Sequence, residues 1–479
     1  MRQEGGRDVA RILHILHTND LHSHFAAMPQ VATCLREHRL QWEGQGEQVL
    51  TVDIGDHLDR MNMKTEATWG KTNVEVLNKS GYQYVTIGNN EGLTLPKEKL
   101  GQLYAEAKFT VILNNLEEPV GKKPSWTVPY VIHQYADLRV ALLGTTVPFA
   151  PFYRQLGWQA NEPFPILASQ IEMLRQQVDV IIVLSHLGLN NDREMAERIP
   201  GIDVILGAHT HHLLKDGERV GHTLIAQAGR YGEHVGHVTL QVEEDGTVSS
   251  LAEVLPSADY APDPLIAQYL AEEREHADML LSGVVAHLPS ALQVDWTRET
   301  PFASFLAASL RRWTNADVGL ANGGLLLHTL QAGNVTRKDL LHCVPHPINP
   351  CTITLTGELL RRLLTRAIQP DIVHKELRGF GFRGKINGWM GIDGLHVKYV
   401  DQPEPEILEV RVGEELLQEE RLYRVATVDM FIFNRLFPEL LDGSGLHFSL
   451  PEVLREILAV YLAEGTLLPA CFNPRWEQV

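Results

Sequence analysis

Residues 12–22 read Ile12-Leu13-His14-Ile15-Leu16-His17-Thr18-Asn19-Asp20-Leu21-His22. An apolar, β-rich run gives way to a carboxylate and an imidazole two positions apart. The same grammar recurs four times: Gly55-Asp56, Gly88-Asn89, Ser185-His186 and Gly207-Ala208-His209-Thr210-His211 each follow a short apolar run. The strand candidates are Ile12–His17, Val49–Ile54, Val85–Ile87, Val111–Leu113, Val140–Leu143, Val180–Leu184, Val204–Leu206 and Thr223–Ala226. They are continuous rather than alternating, as suits strands buried on both faces. Helical stretches intervene, for example Phe164–Gln177 and Asp192–Ile199. Ligands of such α/β sheets gather beyond the carboxyl ends of the strands, where all five clusters fall.

The residue types in these clusters suit two metal ions around one shared carboxylate. Asp20 and His22, and again His209 and His211, are spaced i, i+2, which in extended backbone aims both side chains to one side. Asp56 has two oxygens and can bridge two ions, with Gly55 allowing a tight turn beneath it. Mixed oxygen and nitrogen donors favour Mn²⁺, Zn²⁺, Fe²⁺ or Co²⁺ over Ca²⁺.

At 479 residues the chain exceeds one ordinary core, so two domains are expected. A formal charge of −18 argues against a nucleic acid polymer as partner. It leaves room for small phosphorylated molecules, because bound dications supply local positive charge. Cys34, Cys343, Cys351 and Cys471 form no CxxC pair and are expected as buried thiols. Met1–Ala10 lacks the apolar core of a secretory signal, and no apolar run reaches the ~18 residues of a membrane span, so a cytoplasmic protein without a membrane partner is expected. The sequence leaves the oligomeric state open.

The proline-rich stretch Leu255–Pro264 reads as a domain exit, followed by a charged helix over Leu265–Leu281. The expected domains are 1–258, a linker helix within 259–284, and 285–479. The last part mixes a helix (Ala303–Trp313) with strands at Thr352–Leu355, Leu395–Val400, Ile407–Val412 and Arg424–Thr427.

The order Asp-x-His, Gly-Asp, Gly-Asn, Ser-His, Gly-x-His-x-His resembles that of the calcineurin-like metallophosphoesterases. Ile15–His22 narrows the resemblance to the bacterial 5′-nucleotidase and UDP-sugar hydrolase branch. The second half is similar to that branch's nucleotide-binding domain through Arg298-Glu299-Thr300, Asn322-Gly323-Gly324 and Leu355-Thr356-Gly357. The resemblance implies an α/β fold: a four-layer αββα sandwich plus a C-terminal α+β domain. It implies one metal held by Asp20, His22 and His211, a second held by Asn89, His186 and His209, and Asp56 between them. A metal-bridging hydroxide would then hydrolyse phosphate esters or anhydrides, most often of nucleotides.

This chain departs from the family pattern at two places. The family reads Gly-Asn-His-Glu with an aspartate two residues later, a dyad that stabilises the transition state. Here Asn90 stands for the histidine and Leu93 for the aspartate. An amide donates hydrogen bonds but is no general acid near neutral pH. Leaving groups that need little protonation are therefore expected, unless His24 or His57 supplies the proton. The family's Asn-Gly-Gly-Gly-Ile-Arg becomes Asn322-Gly323-Gly324-Leu325-Leu326-Leu327, without arginine. Arg378, Arg383 and Lys385 are candidates for that charge, with Asn322, Gly323 and Gly324 as substrate contacts. Phe431 and Phe433 are candidate base-stacking rings, but their alternation places them on one strand face, which is the pattern of core packing. Two other functions stay open: hydrolysis of a non-nucleotide such as a sugar phosphate or cofactor pyrophosphate, and a degenerate metal- and nucleotide-binding sensor.

Overall fold

The computed structural model describes residues 11–135, 138–401 and 404–479; the reading of Met1–Ala10 falls outside the described residues. The chain forms two compact units, Met1–Ala277 and Asp278–Val479. Among the described residues no helix is long and apolar enough to cross a membrane.

Unit 1 contains two six-stranded sheets. In the first, Arg11–Thr18 lies between Gln48–Asp53 and His234–Val242, with Tyr84–Val85, Thr110–Val111 and Val248–Pro256 outside them. In the second, the central strands are Leu138–Thr146, Val180–His186 and Val204–Gly207. Successive residues of one strand serve two cores: Ile182 and Leu184 face the core shared with Leu13, Ile15, Leu50 and Val52. Ile181 and Val183 instead pack with Leu167, Ile171 and Met195 of the helices Pro163–Arg175 and Leu189–Arg198. On the first sheet the helix Met28–Gly44 buries Val31, Ala32 and Leu35. The result is the expected helix–sheet–sheet–helix layering, and it explains why the strands are apolar on both faces.

Three antiparallel strands, Tyr130–Tyr135, His234–Val242 and Val248–Pro256, went unread in the sequence. Their partly exposed, mixed composition lacks the continuous apolar signal of the central strands. The expected strands at 85–87 and 111–113 contract to the two-residue pairs Tyr84–Val85 and Thr110–Val111.

Unit 2 has a five-stranded sheet ordered Met390–Asp393, Val318–Asn322, Leu422–Val428, Pro350–Thr356, Ser444–Phe448. A four-stranded sheet includes Leu395–Val400 and Glu406–Val412. The motifs that suggested this domain prove to be largely caps. The Thr300 hydroxyl accepts from Ala303 N at the start of helix Pro301–Thr314, and Thr356 does the same for helix Gly357–Ala367. Glu299 accepts from the backbone of Arg475 and Trp476, tying down the C-terminal strand.

Helix Pro264–Leu281 is capped by Asp263, whose Oδ1 accepts from Leu265 N and Ile266 N. It buries Ile266, Leu270, Ala277 and Leu281 along one stripe. All four cysteines are buried and free.

Candidate metal centre

Parallel pairing within each sheet, and the packing of one sheet on the other, bring the distant clusters together. Thr18 is in register with Asp53, and beyond the strands the two loops continue side by side: Asp20 N donates to Gly55 O (3.0 Å) and His22 N to Asp56 O (2.8 Å). In the second sheet Gly207 pairs with Ser185, which sets His186 beside the 208–211 turn.

Two trios of metal-type donors result: Asp20, His22 and His211, and Asp56, His186 and His209, each with donor atoms within 4.8 Å of one another. Among the described residues these are the only such groups. His22 Nε2 lies 3.0 Å from His211 Nε2, and His211 Nε2 lies 3.5 Å from Asp20 Oδ1. Asp56 Oδ2 is 3.5 Å from His186 Nε2 and 3.8 Å from His22 Nε2, so one carboxylate faces both trios.

Two orphaned atoms test whether cations fit. His186 Nδ1 is engaged with Ile54 O at 2.7 Å, which leaves Nε2 as the free ring nitrogen, buried and without a hydrogen-bond partner. Asn89 Oδ1 is likewise buried without a partner. Buried polar atoms rarely stay unsatisfied, and here both are lone-pair donors of the kind a divalent cation takes. The donor set fits.

The backbone corrects one expectation. Asp20 and His22 are not in extended backbone but left-handed, with φ of 50° and 48°; His209 and His211 likewise have φ of 72° and 59°. Asp56 joins them at 51°. Eleven described non-glycine residues have positive φ, and five are these candidate ligands. Such conformations cost roughly 1–3 kcal/mol each and persist where the surroundings over-determine them. The i, i+2 pairs converge through tight turns, a geometry the alternation rule does not cover.

Glycine is required where the loops touch. A Cβ on Gly88 would collide with Asp56 Oδ1 and His186 Cε1, and one on Gly55 with the backbone of Gly88. Burial opposes ionisation of Asp56, yet His186 and His22 beside it hold its carboxyl below the usual carboxylate range. Burial works equally against charge on His186, but Asp56 outweighs it and lifts that imidazole to about 10 in the metal-free protein. Burial and the neighbouring His186 push His209 down to about 4.

Asn90 points into this centre. Its backbone N–H donates to Asp56 Oδ1 (2.8 Å), and its Nδ2 donates to Asp56 Oδ2 (2.7 Å) and lies 3.3 Å from His22 Nδ1. The two alternative proton donors differ: His57 is enclosed away from solvent, whereas His24 stays a candidate beside the Tyr231 ring that His22 also meets. His57 is buried, with Nδ1 near Asn73 Nδ2, and burial pushes it down to about 3. His24 is exposed and stacks on Tyr231.

The sequence reading missed Glu91. Its Oε2 accepts from Asp56 N (3.0 Å) and Gly88 N (2.9 Å), and its Oε1 from Leu58 N (2.9 Å). This one carboxylate locks the two glycine turns together. Its spacing from Gly88 is that of a capping box, the signal that could have found it. Asn19 was also missed: its Nδ2 holds Asp20 Oδ2 at 2.8 Å.

The substrate residues expected in unit 2 divide. Asn322 is buried and donates Nδ2 to Asn387 O; Gly323 N and Gly324 N donate to Trp389 O and Asn387 O. These three pack two backbone segments tightly together. Phe431 and Phe433 are not on a strand: Asp429–Asn434 is a short helix, so Phe431 is buried while Phe433 is exposed. A strand period fails there because Val428 ends the pairing and Asp429 starts a helix turn. Phe433 lies near-parallel to the exposed ring of Phe380, with centroids 6.2 Å apart. Arg383 N donates to His346 Nδ1, and His346 Nε2 engages Leu325 O, so the Val344–Pro350 segment anchors the 379–385 turn.

Comparison with known proteins agrees with this geometry. Residues 13–213 match the calcineurin-like phosphoesterase family, and residues 283–435 match the 5′-nucleotidase C-terminal domain. A Bacillus subtilis protein described as the uncharacterized metallophosphoesterase YunD is 39% identical over 94% of this chain and 99% of its own length. The solved Haemophilus influenzae NAD nucleotidase has the same fold, with a TM-score of 0.68 at 16% identity over 98% of this chain and 97% of that one. The 5′-nucleotidase precursor from Thermus thermophilus covers 98% of this chain and 99% of its own, with a TM-score of 0.57 at 19% identity. With both family models and a full-length relative matched around this donor set, the chain belongs to the calcineurin-like metallophosphoesterases of the 5′-nucleotidase family, metal-dependent hydrolases of phosphoesters.

Proposed function

We propose that this chain hydrolyses nucleotides, as phosphate esters or anhydrides, at two divalent cations (Mn²⁺, Zn²⁺, Fe²⁺ or Co²⁺). One would be held by Asp20, His22 and His211, the other by Asn89, His186 and His209, with Asp56 shared. The observation that carries this reading is Asp56 Oδ2, which faces both His22 and His186 at under 4 Å. Bound there, the ions would acidify a water and offset charge on the phosphoryl oxygens.

The chain's own groups set the rest. Ile54 O fixes the His186 ring, and Glu91 fixes the turns that carry Asp56 and Asn89. Asn90 places an N–H against Asp56 but brings no acidic proton. A group that departs as a stable anion needs none, so anhydrides and aryl phosphates are favoured over alkyl monoesters. The exposed, near-parallel Phe380 and Phe433 offer a nucleobase two ring faces. Arg383, on the same turn as Phe380, is the candidate for substrate charge.

A chelate-and-reconstitute assay tests this. Chelated protein should release no phosphate; reloading to two ions per chain should restore release from nucleotides. Restoration at one ion, or turnover confined to sugar phosphates in a broad panel, would replace this reading with a mononuclear or a non-nucleotide one.

A further inference from the structure

One cation near the centre has no assigned work. Arg230 follows Gly229 in a turn where Gly229, Tyr231 and Gly232 all have positive φ (81°, 62° and 68°). The turn is fastened to the centre: Tyr231 N donates to Asp20 O at 2.9 Å, and Gly229 O accepts from Asn19 Nδ2 at 2.7 Å. A left-handed tyrosine is uncommon and marks a turn whose shape is imposed by its surroundings.

That shape places three side chains around one ring. The Arg230 guanidinium lies over the Tyr231 ring, 4.6 Å from its centroid. His24 stacks on the same ring at 3.8 Å, and the metal-trio residue His22 meets it edge-on at 6.0 Å. Arg230 is therefore no more than about 11 Å from the centre of the His22 ring. It is exposed, and among the described residues no carboxylate pairs with it. In a chain of net charge −18, an exposed arginine with no carboxylate partner among the described residues, within about 11 Å of the His22 ring, is available to an anion from solution.

We infer that Arg230 is a specificity residue for substrates with a second anionic group beyond the phosphoryl under attack, making phosphoanhydrides such as nucleoside diphosphate derivatives the preferred class. The inference rests on the hydrolase reading of the same site and names its substrate class. A monoester spends its charge at the trios and leaves Arg230 idle. A diphosphate presents a second phosphate, and the guanidinium provides planar donors for it. Asn90 agrees from the opposite direction, because a departing phosphate needs no proton. In the overall step, water oxygen bonds to one phosphorus and the P–O–P bridge breaks. The departing phosphate keeps the electron pair, and the water protons pass to the phosphate products and solvent.

The test compares binding of methylenediphosphonate and methylphosphonate to Mn²⁺-loaded protein by calorimetry, with metal content measured in parallel. Arg230→Ala should weaken the diphosphonate about tenfold and the monophosphonate less than twofold, with Arg230→Lys in between. In turnover, the same variant should raise KM for UDP-glucose more than for UMP. Equal weakening of both phosphonates, no weakening of either, or loss of bound Mn²⁺ in Arg230→Ala would overturn the inference. If the wild type binds the diphosphonate through Arg230 yet releases phosphate from no substrate, the subsite stands and the hydrolase reading falls.

Discussion

Asp56 and Asp429 are both buried carboxylates just beyond the end of a strand, yet their charges are governed in opposite ways. Asp56 faces His186 and His22, which hold it ionised against its burial. Asp429 is faced by the backbone N–H of Asn349 and, among the described residues, by no cation that offsets its burial, so burial pushes it up to about 7. The glycine motifs nearby differ in the same sense. Gly88-Asn89-Asn90 carries a buried, unpartnered Asn89 oxygen one residue before the Asn90 that donates to Asp56 of the trios. Asn322-Gly323-Gly324 spends its N–H groups on Asn387 and Trp389. Asn322 Oδ1 is unpartnered too, but no trio of metal-type donors surrounds it among the described residues. A strand-end turn becomes a site when its unsatisfied lone pairs converge with charge; otherwise it is packing.

The largest expected effect follows from Asp56. Asp56→Asn keeps the shape but removes the shared negative charge. Hydrolysis should fall by on the order of 10²–10³-fold or more, with metal content below that of the wild type. Near-normal turnover would end the contrast with Asp429. Asn90→Ala removes the 2.7 Å donor to Asp56. Because hydrogen bonds to charged groups are worth about 1.5–3 kcal/mol, kcat should fall about 10- to 100-fold with metal content unchanged.

Two glycine variants sharpen the comparison next. A Cβ on Gly88 meets Asp56 and His186, whereas one on Gly324 meets Ile386 O and Asn387 O. Each alanine should cost about 1–3 kcal/mol through overpacking, seen in thermal or denaturant unfolding. Only Gly88→Ala should also weaken metal binding by titration calorimetry. Metal loss in Gly324→Ala would show that the two regions do not act separately.

The smallest effect concerns pH. Asp429 in the folded chain titrates near 7, against an ordinary 3.8. Below the ordinary value both states are protonated and the group contributes nothing. As pH rises toward 7 the unfolded chain ionises first, so unit 2 loses stability over that interval. Asp429→Asn should flatten the loss, read as the unfolding midpoint against pH. An unchanged slope would refute the burial account.

Much of unit 1 was legible because its signals are local. A strand buried on both faces must be apolar throughout, so Val180–His186 and Val204–Gly207 announce themselves, and the polar residues that follow stand out. The five clusters, their donor types and the gap left by Asn90 were all present in the order of residues. In unit 2 the same reading failed at Phe431 and Phe433, because alternation in a five-residue run does not distinguish a strand from a helix turn next to a strand end.

Tertiary structure decided what depends on neighbours distant in sequence. Only the packing of one sheet on the other, through the core that Leu13, Ile15, Ile182 and Leu184 share, could bring His22 to within 3.0 Å of His211, or set Asp56 between His186 and His22. Only the folded turns show that the candidate ligand pairs converge through left-handed backbone, that Glu91 clamps two loops, and that Arg230 lies over Tyr231 with no carboxylate partner among the described residues. Residue order determined which donors this chain possesses. Their convergence, and hence the charge each one carries, is a property of distance, and distance between remote residues exists only once the sheets have formed.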